Sequence, residues 1–209
     1  MPLLLLSQPL WHLSLTPLPC GRTHTLVCEL SNGYAKKNHK KNKLLSLSGF
    51  FIIKGAIIVK KIYEDAGHGL PNDPGAVGNG LKECEVVLTI QELFNAYLLA
   101  NYEGFEIKST RTDNKTFLPL SDRARQANRW NADVFISFHI NSAANEKATG
   151  YEDFIYKHAS LASESLQNIV HEQVLPVIGK HNVTNRGKKT ANYAVLRMTN
   201  MPAILTETM

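Results

Sequence analysis

The stretch Ile62–Glu83, IYEDAGHGLPNDPGAVGNGLKE, constrains this chain most. An apolar run ends at Asp65-Ala66-Gly67-His68-Gly69, a segment rich in Gly, Pro, Asn and Asp follows, and a helical pattern opens at Glu83. This order reads as a strand handing a histidine to a sheet edge, then a loop able to hug a ligand, then a helix. The loop is short enough to fold back and set Glu83 beside His68. A histidine and a carboxylate so placed are candidate zinc ligands. The ordinary alternative is a polar residue ending a strand, and the motif alone leaves both readings open.

Downstream, strands and helices alternate. Ile57–Tyr63 is expected as the first strand, and Cys84–Asn101 as a helix in which Val86, Ile90, Leu93, Phe94 and Tyr97 recur at helical spacing. Phe105–Arg111 alternates as a strand does, and Leu120 opens a second helix with Ser121 or Asp122 as its cap. ADVFISFHIN (132–141) reads as a buried central strand. Gly150–Tyr156 is expected as another strand, and Ala159–His181 as a long helix with Leu161, Leu166, Ile169, Val170 and Val174 turned inward. Tyr193–Arg197 and Ala203–Thr206 are expected as the last strands. The alternation predicts a single α/β domain, a twisted and largely parallel central sheet with helices on both faces.

Charge separates this domain from what precedes it. The net charge of +5 is concentrated in residues 1–58, which hold seven Lys or Arg and one acid, Glu29. That leaves 16 basic and 17 acidic residues in 59–209, a net charge of −1, which offers no electrostatic footprint for nucleic acid. Three widely spaced cysteines, Cys20, Cys28 and Cys84, argue against a disulfide framework, and no apolar run is long enough to span a membrane. Residues 1–58 show no consistent pattern, and the leucines and prolines at their start lack the basic region and cleavage site of an export signal. Lys54-Gly55-Ala56 is encodable as a ribosome-binding sequence and Val59 as a GTG start. The expectation is that 1–58 is an extension outside the natural coding sequence and that the domain comprises 59–209. Without an export signal, the protein would stay in the cytoplasm until released, or leave by another route.

His139 shares the setting of His68: each follows an apolar strand and precedes a small or polar loop, here Asn141-Ser142-Ala143-Ala144. Ligands of open α/β sheets bind outside the carboxyl ends of the strands. Two histidines there, with Glu83, would form a three-ligand zinc site with one position left for water. Glu207 follows the apolar strand Ala203–Leu205 and would reach the same edge, where a carboxylate could move protons; a solvated residue near a frayed end is the equal alternative. His158, His171 and His181 read as packed or solvated, Arg123 and Asp122 as anchors of a helix to a neighbouring loop, and Cys84 as core. Asn141 and Arg186 are candidate substrate contacts, Arg186 because a guanidinium pairs with carboxylates in a fork.

These residues together resemble the zinc-dependent N-acetylmuramoyl-L-alanine amidases of the amidase-3 type, the catalytic domains of phage endolysins and bacterial autolysins. The resemblance runs through DAGHG…NDPGAVGNGLKE, STRTDNKTFLPLSDRARQANRWNADVFISFHINSA, GYEDFIY and NRGKKTANYAVLRMTNMPAILTE, and covers 60–207 in order. It implies one zinc ion held by His68, Glu83 and His139, and Glu207 as the catalytic carboxylate. It also implies a monomer acting at the bacterial cell wall, where peptidoglycan is cut between N-acetylmuramic acid and L-alanine of the stem peptide. Two departures stand out. Leu70 replaces a second glycine after His68-Gly69, which would narrow the approach to the metal. The family pattern also continues past the catalytic Glu with a turn and a closing helix, whereas Thr208-Met209 follow here. The expectation is therefore a domain lacking its final segment, with a fraying last strand and weak activity. The alternative is an inactive peptidoglycan-binding or regulatory module. A zinc carboxypeptidase-like peptidase finds no support in DPGAVGNG or SFHIN.

Overall fold

In the computed structural model, residues 60–141 and 149–208 are described. The expectations for 1–59, including Cys20 and Cys28, and for 142–144 lie outside them. Strand β1 (Lys60–Ala66) leads through a two-stranded hairpin, β2 (Val77–Gly78) and β3 (Leu81–Lys82), into helix α1 (Glu83–Asn101). Then come β4 (Phe105–Ser109), α2 (Leu120–Trp130), β5 (Val134–Ile140), β6 (Tyr151–Tyr156) and α3 (Leu161–Lys180). β7 (Asn185–Ala191), the single turn α4 (Ala194–Arg197) and β8 (Ala203–Thr208) complete the order.

Six strands form one mixed sheet in the order β4-β1-β5-β8-β6-β7. The first four are mutually parallel, and β6 with β7 runs the other way. Successive residues of a strand face opposite sides, and β1 shows the result. Ile62 and Ala66 pack under α1 with Val87, Leu88, Leu98 and Phe138, while Tyr63 packs on the α2 side with Ala127, Phe135 and Leu205. Helix α3 covers the α1 face near β6 through Leu166, Val174 and Ile178. The single-domain, mostly parallel α/β sheet with helices on both faces is the architecture expected, and every parallel strand of the group ends at one edge.

Several local expectations need correction. Tyr193–Arg197 is not a strand. Tyr193 is extended, and Ala194–Arg197 makes one helical turn that buries Val195 and Leu196. β7 was not expected, because NRGKKTA carries the exposed polar pattern of an edge strand rather than an alternating apolar one. Neither Ser121 nor Asp122 caps α2; the helix starts after Pro119 with no side-chain cap, and Asp122 instead pairs with Arg125 inside the first turns. Leu161 is 81% exposed because α3 begins there, before its inward face reaches the sheet, and Leu93 is likewise exposed. The last strand does not fray. β8 is hydrogen-bonded to β5 on one side and β6 on the other, with register partners out to Thr208.

Candidate metal centre

At the carboxyl edge of β1 the chain turns sharply through Gly67-His68-Gly69, and His68 itself sits at φ 62°, a left-handed conformation uncommon for a residue with a Cβ. Two buried arginines hold that turn. Arg123 of α2 donates to the carbonyls of Ala66 at 3.0 Å and His68 at 2.5 Å. Arg111 donates to those of Ala66 at 3.1 Å and Gly67 at 2.9 Å, and to Cys84 in the first turn of α1 at 2.6 Å. Arg123 is itself paired with Asp65 at 2.8 Å. Strained backbone persists where its surroundings over-determine it, and here guanidinium groups do so.

The turn brings His68, Glu83 and His139 together, with one ligand atom from each lying within 4.8 Å of the others. Among the described residues no other trio of His, Cys, Asp or Glu comes so close. Glu83 opens α1 and is nearly buried; its Oε1 lies 3.1 Å from His68 Nε2 and 3.0 Å from His139 Nδ1. Its carboxylate is further fixed by two backbone donors, Ile140 N–H to Oε1 and Ala76 N–H to Oε2, each at 2.9 Å. Burial pushes this carboxyl up, but the His139 and His68 hydrogen bonds and the backbone donors outweigh it and hold Glu83 well below the usual range. Two glycines make the approach possible. A Cβ on Gly67 would stand 2.4 Å from the His139 ring, and one on Gly75 would stand 2.7 Å from both Glu83 Oε2 and the His68 ring.

Asp73, which the sequence reading passed over, orients the first histidine. Its Oδ2 lies 2.8 Å from His68 Nδ1, which leaves Nε2 for the shared centre. Metal-binding histidines commonly pair their second nitrogen with a carboxylate in this way. The available signal was an acid in the same Gly-rich loop, five residues from His68.

Glu207 stands in a row across the sheet. His139 of β5, Glu207 of β8 and Glu152 of β6 are cross-strand partners on the face carrying α2 and α4. Burial pushes the Glu207 carboxyl up to about 7, with His139 lowering it and the negative charges of Glu83 and Glu152 adding to the rise. Its Oε2 is buried without a hydrogen-bond partner among the described residues. Glu152 is compensated: Lys189 Nζ contacts it closely, Asn141 Nδ2 donates to Oε1 at 2.8 Å, and Arg186 Nη1 lies 3.8 Å away. Both candidate substrate contacts, Asn141 and Arg186, thus converge on a carboxylate adjoining Glu207. Of the histidines read as bland, His171 is packed against Asp153 at 2.7 Å on the opposite face, and Cys84 is fully buried.

The donor set suits a zinc ion: two imidazole nitrogens and one carboxylate, preorganised and partly desolvated, beside a carboxyl with an unused oxygen. Comparisons with known proteins give the family. Residues 62–209 match the sequence profile described as N-acetylmuramoyl-L-alanine amidase. The chain is 41% identical over 147 residues to the sporulation-specific N-acetylmuramoyl-L-alanine amidase of Bacillus subtilis strain 168, covering 70% of this chain and 54% of that protein. It is 41% identical over 150 residues to the endolysin of Bacillus phage SPP1, covering 71% and 54%. The chain therefore spans about half the length of the curated relatives it matches. Among solved structures, the catalytic domain of CwlV, an N-acetylmuramoyl-L-alanine amidase from Bacillus (Paenibacillus) polymyxa var. colistinus, superposes with a TM-score of 0.63 at 35% identity, covering 71% of this chain and 79% of that one. With family profile, sequence relatives and fold in agreement, this chain belongs to the N-acetylmuramoyl-L-alanine amidase family.

Proposed function

We propose that the domain formed by residues 59–209 hydrolyses the amide joining the lactyl group of N-acetylmuramic acid to L-alanine of the peptidoglycan stem, using one zinc ion held by His68, Glu83 and His139. The observation that carries this reading is the convergence of those three ligand atoms within 4.8 Å, one strand from a desolvated carboxyl with a free oxygen. Zinc in such a site polarises a carbonyl and makes water a nucleophile near neutral pH. Glu207, with a carboxyl pushed to about 7, is poised to take a proton from the attacking water as a carboxylate and to return it to the departing L-alanine amine as an acid. Asp73 keeps the His68 ring turned to the centre, and the Arg111 and Arg123 guanidinium groups fix the backbone that carries it. Asn141 and Arg186, lying together on Glu152 beside Glu207, are suited to polar groups of the stem peptide, Arg186 to a carboxylate. The protein would then act at the cell wall.

The test is a pair of substitutions assayed for zinc and for release of L-alanine amino termini from purified cell walls. His139→Ala is expected to lose stoichiometric zinc on dialysis. Glu207→Gln is expected to keep zinc and lose activity by roughly a thousandfold, within the range for a general acid–base group. One equivalent of zinc retained by His139→Ala would overturn the ligand set, and an undiminished Glu207→Gln would overturn the proton-transfer role.

A further inference from the structure

We propose that the cavity between β4 and the end of α2 is a second binding site, for an anionic sugar: a hexose-sized ring bearing a phosphate. Tyr63, Lys108, Gln126, Arg129 and Trp130 line a space of about 310 Å³. The volume is at the lower end of small-ligand sites, as suits one monosaccharide unit. It is separate from the metal centre: none of its lining residues is a candidate ligand, and Tyr63 lies three residues, about 10 Å at the usual strand rise, before the carboxyl end of β1 where the turn to His68 begins.

The cavity gathers positive charge around an indole. Lys108 Nζ lies 5.0 Å from the Trp130 ring centroid and Lys61 Nζ lies 5.5 Å from it, and Arg129 is the residue before Trp130. The C-terminus of a helix attracts a cation, and Lys61 Nζ does donate to the Trp130 carbonyl at 3.4 Å. That accounts for one of three. Elsewhere on this protein, basic side chains sit on acids: Lys60 on Asp133, Lys82 on Glu85, Arg125 on Asp122, and Lys189 on Glu152. Among the described residues, Lys61, Lys108 and Arg129 make no ion pair with a carboxylate. Glu106, two residues from Lys108 on the same face of β4, is the register partner of Lys61 and lies outside the cavity lining, so Lys108 and Arg129 are the cations left for a ligand. The Tyr63 hydroxyl donates to Gln126 Oε1 at 2.8 Å, so the Gln126 amide N–H groups stay available as donors beside the cations. Aromatic walls suit the apolar face of a sugar ring, unpaired cations suit a phosphate, and an amide suits ring hydroxyls.

The inference rests on the cell-wall reading only for where such a ligand would be met, namely a phosphate-bearing glycan beside the peptidoglycan. The test follows the indole N–H resonance of Trp130, assigned by its loss in Trp130→Phe, in the zinc-loaded full chain titrated with α-D-glucose 1-phosphate, methyl α-D-glucoside or inorganic phosphate. Saturable shifts are expected with the sugar phosphate, weakening with added salt. The two fragments should bind at least about tenfold more weakly, as each keeps only part of the contacts. Lys108→Gln should weaken the sugar phosphate roughly fivefold, as expected for one partly exposed charge pair, while leaving hydrolysis of a soluble muropeptide unchanged. No saturable shift, an affinity unaltered by Lys108→Gln, or loss of soluble-muropeptide hydrolysis in that variant would overturn the proposal. Saturable binding by a protein that cuts no amide would support this site while refuting the proposed hydrolysis.

Discussion

Glu64 and Asp65 are consecutive acids in the same strand, both fully buried, and they meet opposite fates. The strand pleat sends them to opposite faces of the sheet. Asp65 points towards α2, where Arg123 Nη1 and Thr110 Oγ1 reach its Oδ1 at 2.8 and 3.0 Å and Ser137 Oγ reaches Oδ2 at 2.7 Å. Burial pushes its carboxyl up, but Arg123, followed by His139 and Ser137, more than reverses this and holds it below the ordinary range. Glu64 points under α1, where no cation among the described residues meets it. Burial pushes it up to about 8 against weak help from Asn95 and Ser109. Its Oε1 is unpartnered, and so are Gln91 Oε1 and Asn95 Oδ1 on the helix above. The difference teaches that burial alone decides neither charge nor stability: a buried acid keeps its charge where fixed donors meet it and keeps its proton where they do not.

The largest effect should come from breaking the satisfied side. Arg123→Ala leaves Asp65 buried without its cation and removes the guanidinium donor from the His68 carbonyl, while Ala66 keeps its bond from Arg111. We expect a loss of about 3–5 kcal/mol in urea unfolding, the usual result of removing one partner of a buried pair, together with weaker zinc retention. The pH dependence should change too. Because the folded carboxyl lies below its unfolded value of 3.8, the wild-type contribution is present above that pH and is lost as pH falls through the folded value. In Arg123→Ala that acid-side loss should largely vanish; a variant as stable as the parent, with the same acid limb, would remove Arg123 from the account.

Relieving the unsatisfied side should have the opposite sign and a smaller size. Between the ordinary value of 4.5 and the folded value of about 8, the unfolded chain has released the Glu64 proton while the folded protein retains it. Stability therefore falls as pH rises through that window. Glu64→Gln supplies an amide that can donate to one of the orphaned oxygens without titrating. It should add stability at pH 8, and the gain should fade as pH falls towards 4.5. Equal stabilisation at both ends of the window would show that packing, not the proton, is responsible. Smaller still, Ser137→Ala removes one donor from Asp65 and should cost about 1 kcal/mol while leaving metal content intact, since Arg123 and Thr110 remain.

Much of the centre was legible because its residues stand where local pattern changes. His68 and His139 end apolar strands and Glu83 opens a helix, so local pattern makes them candidates, and the family resemblance joins them into one site. What supports them was less so: Arg123 reads as an anchor of its helix to a neighbouring loop, which it is, but its partners are not marked. Asp65 meets Arg123 across 58 residues, and Arg111 reaches Gly67 across 44, and no period or short motif records such a meeting. The missed strand β7 is an edge whose polar sequence carries no core-facing alternation. The segment Tyr193–Arg197 failed for the converse reason. A short apolar run is consistent with either a strand or a helical turn, and only its packing beside α2 and against β6 and β8 decides between them.

The placement of β8 has a consequence for how the protein is made. Every other described element precedes it in the chain, yet in the sheet it lies between β5 and β6, joined to both. During synthesis its two neighbours leave the ribosome first and must await it, because they have no pairing with one another to fall back on. The strand that fills the gap also carries Glu207. Joining the two halves of the sheet and bringing Glu207 beside His139 are thus one event, and a nascent chain would carry His68, Glu83 and His139 well before it carried Glu207.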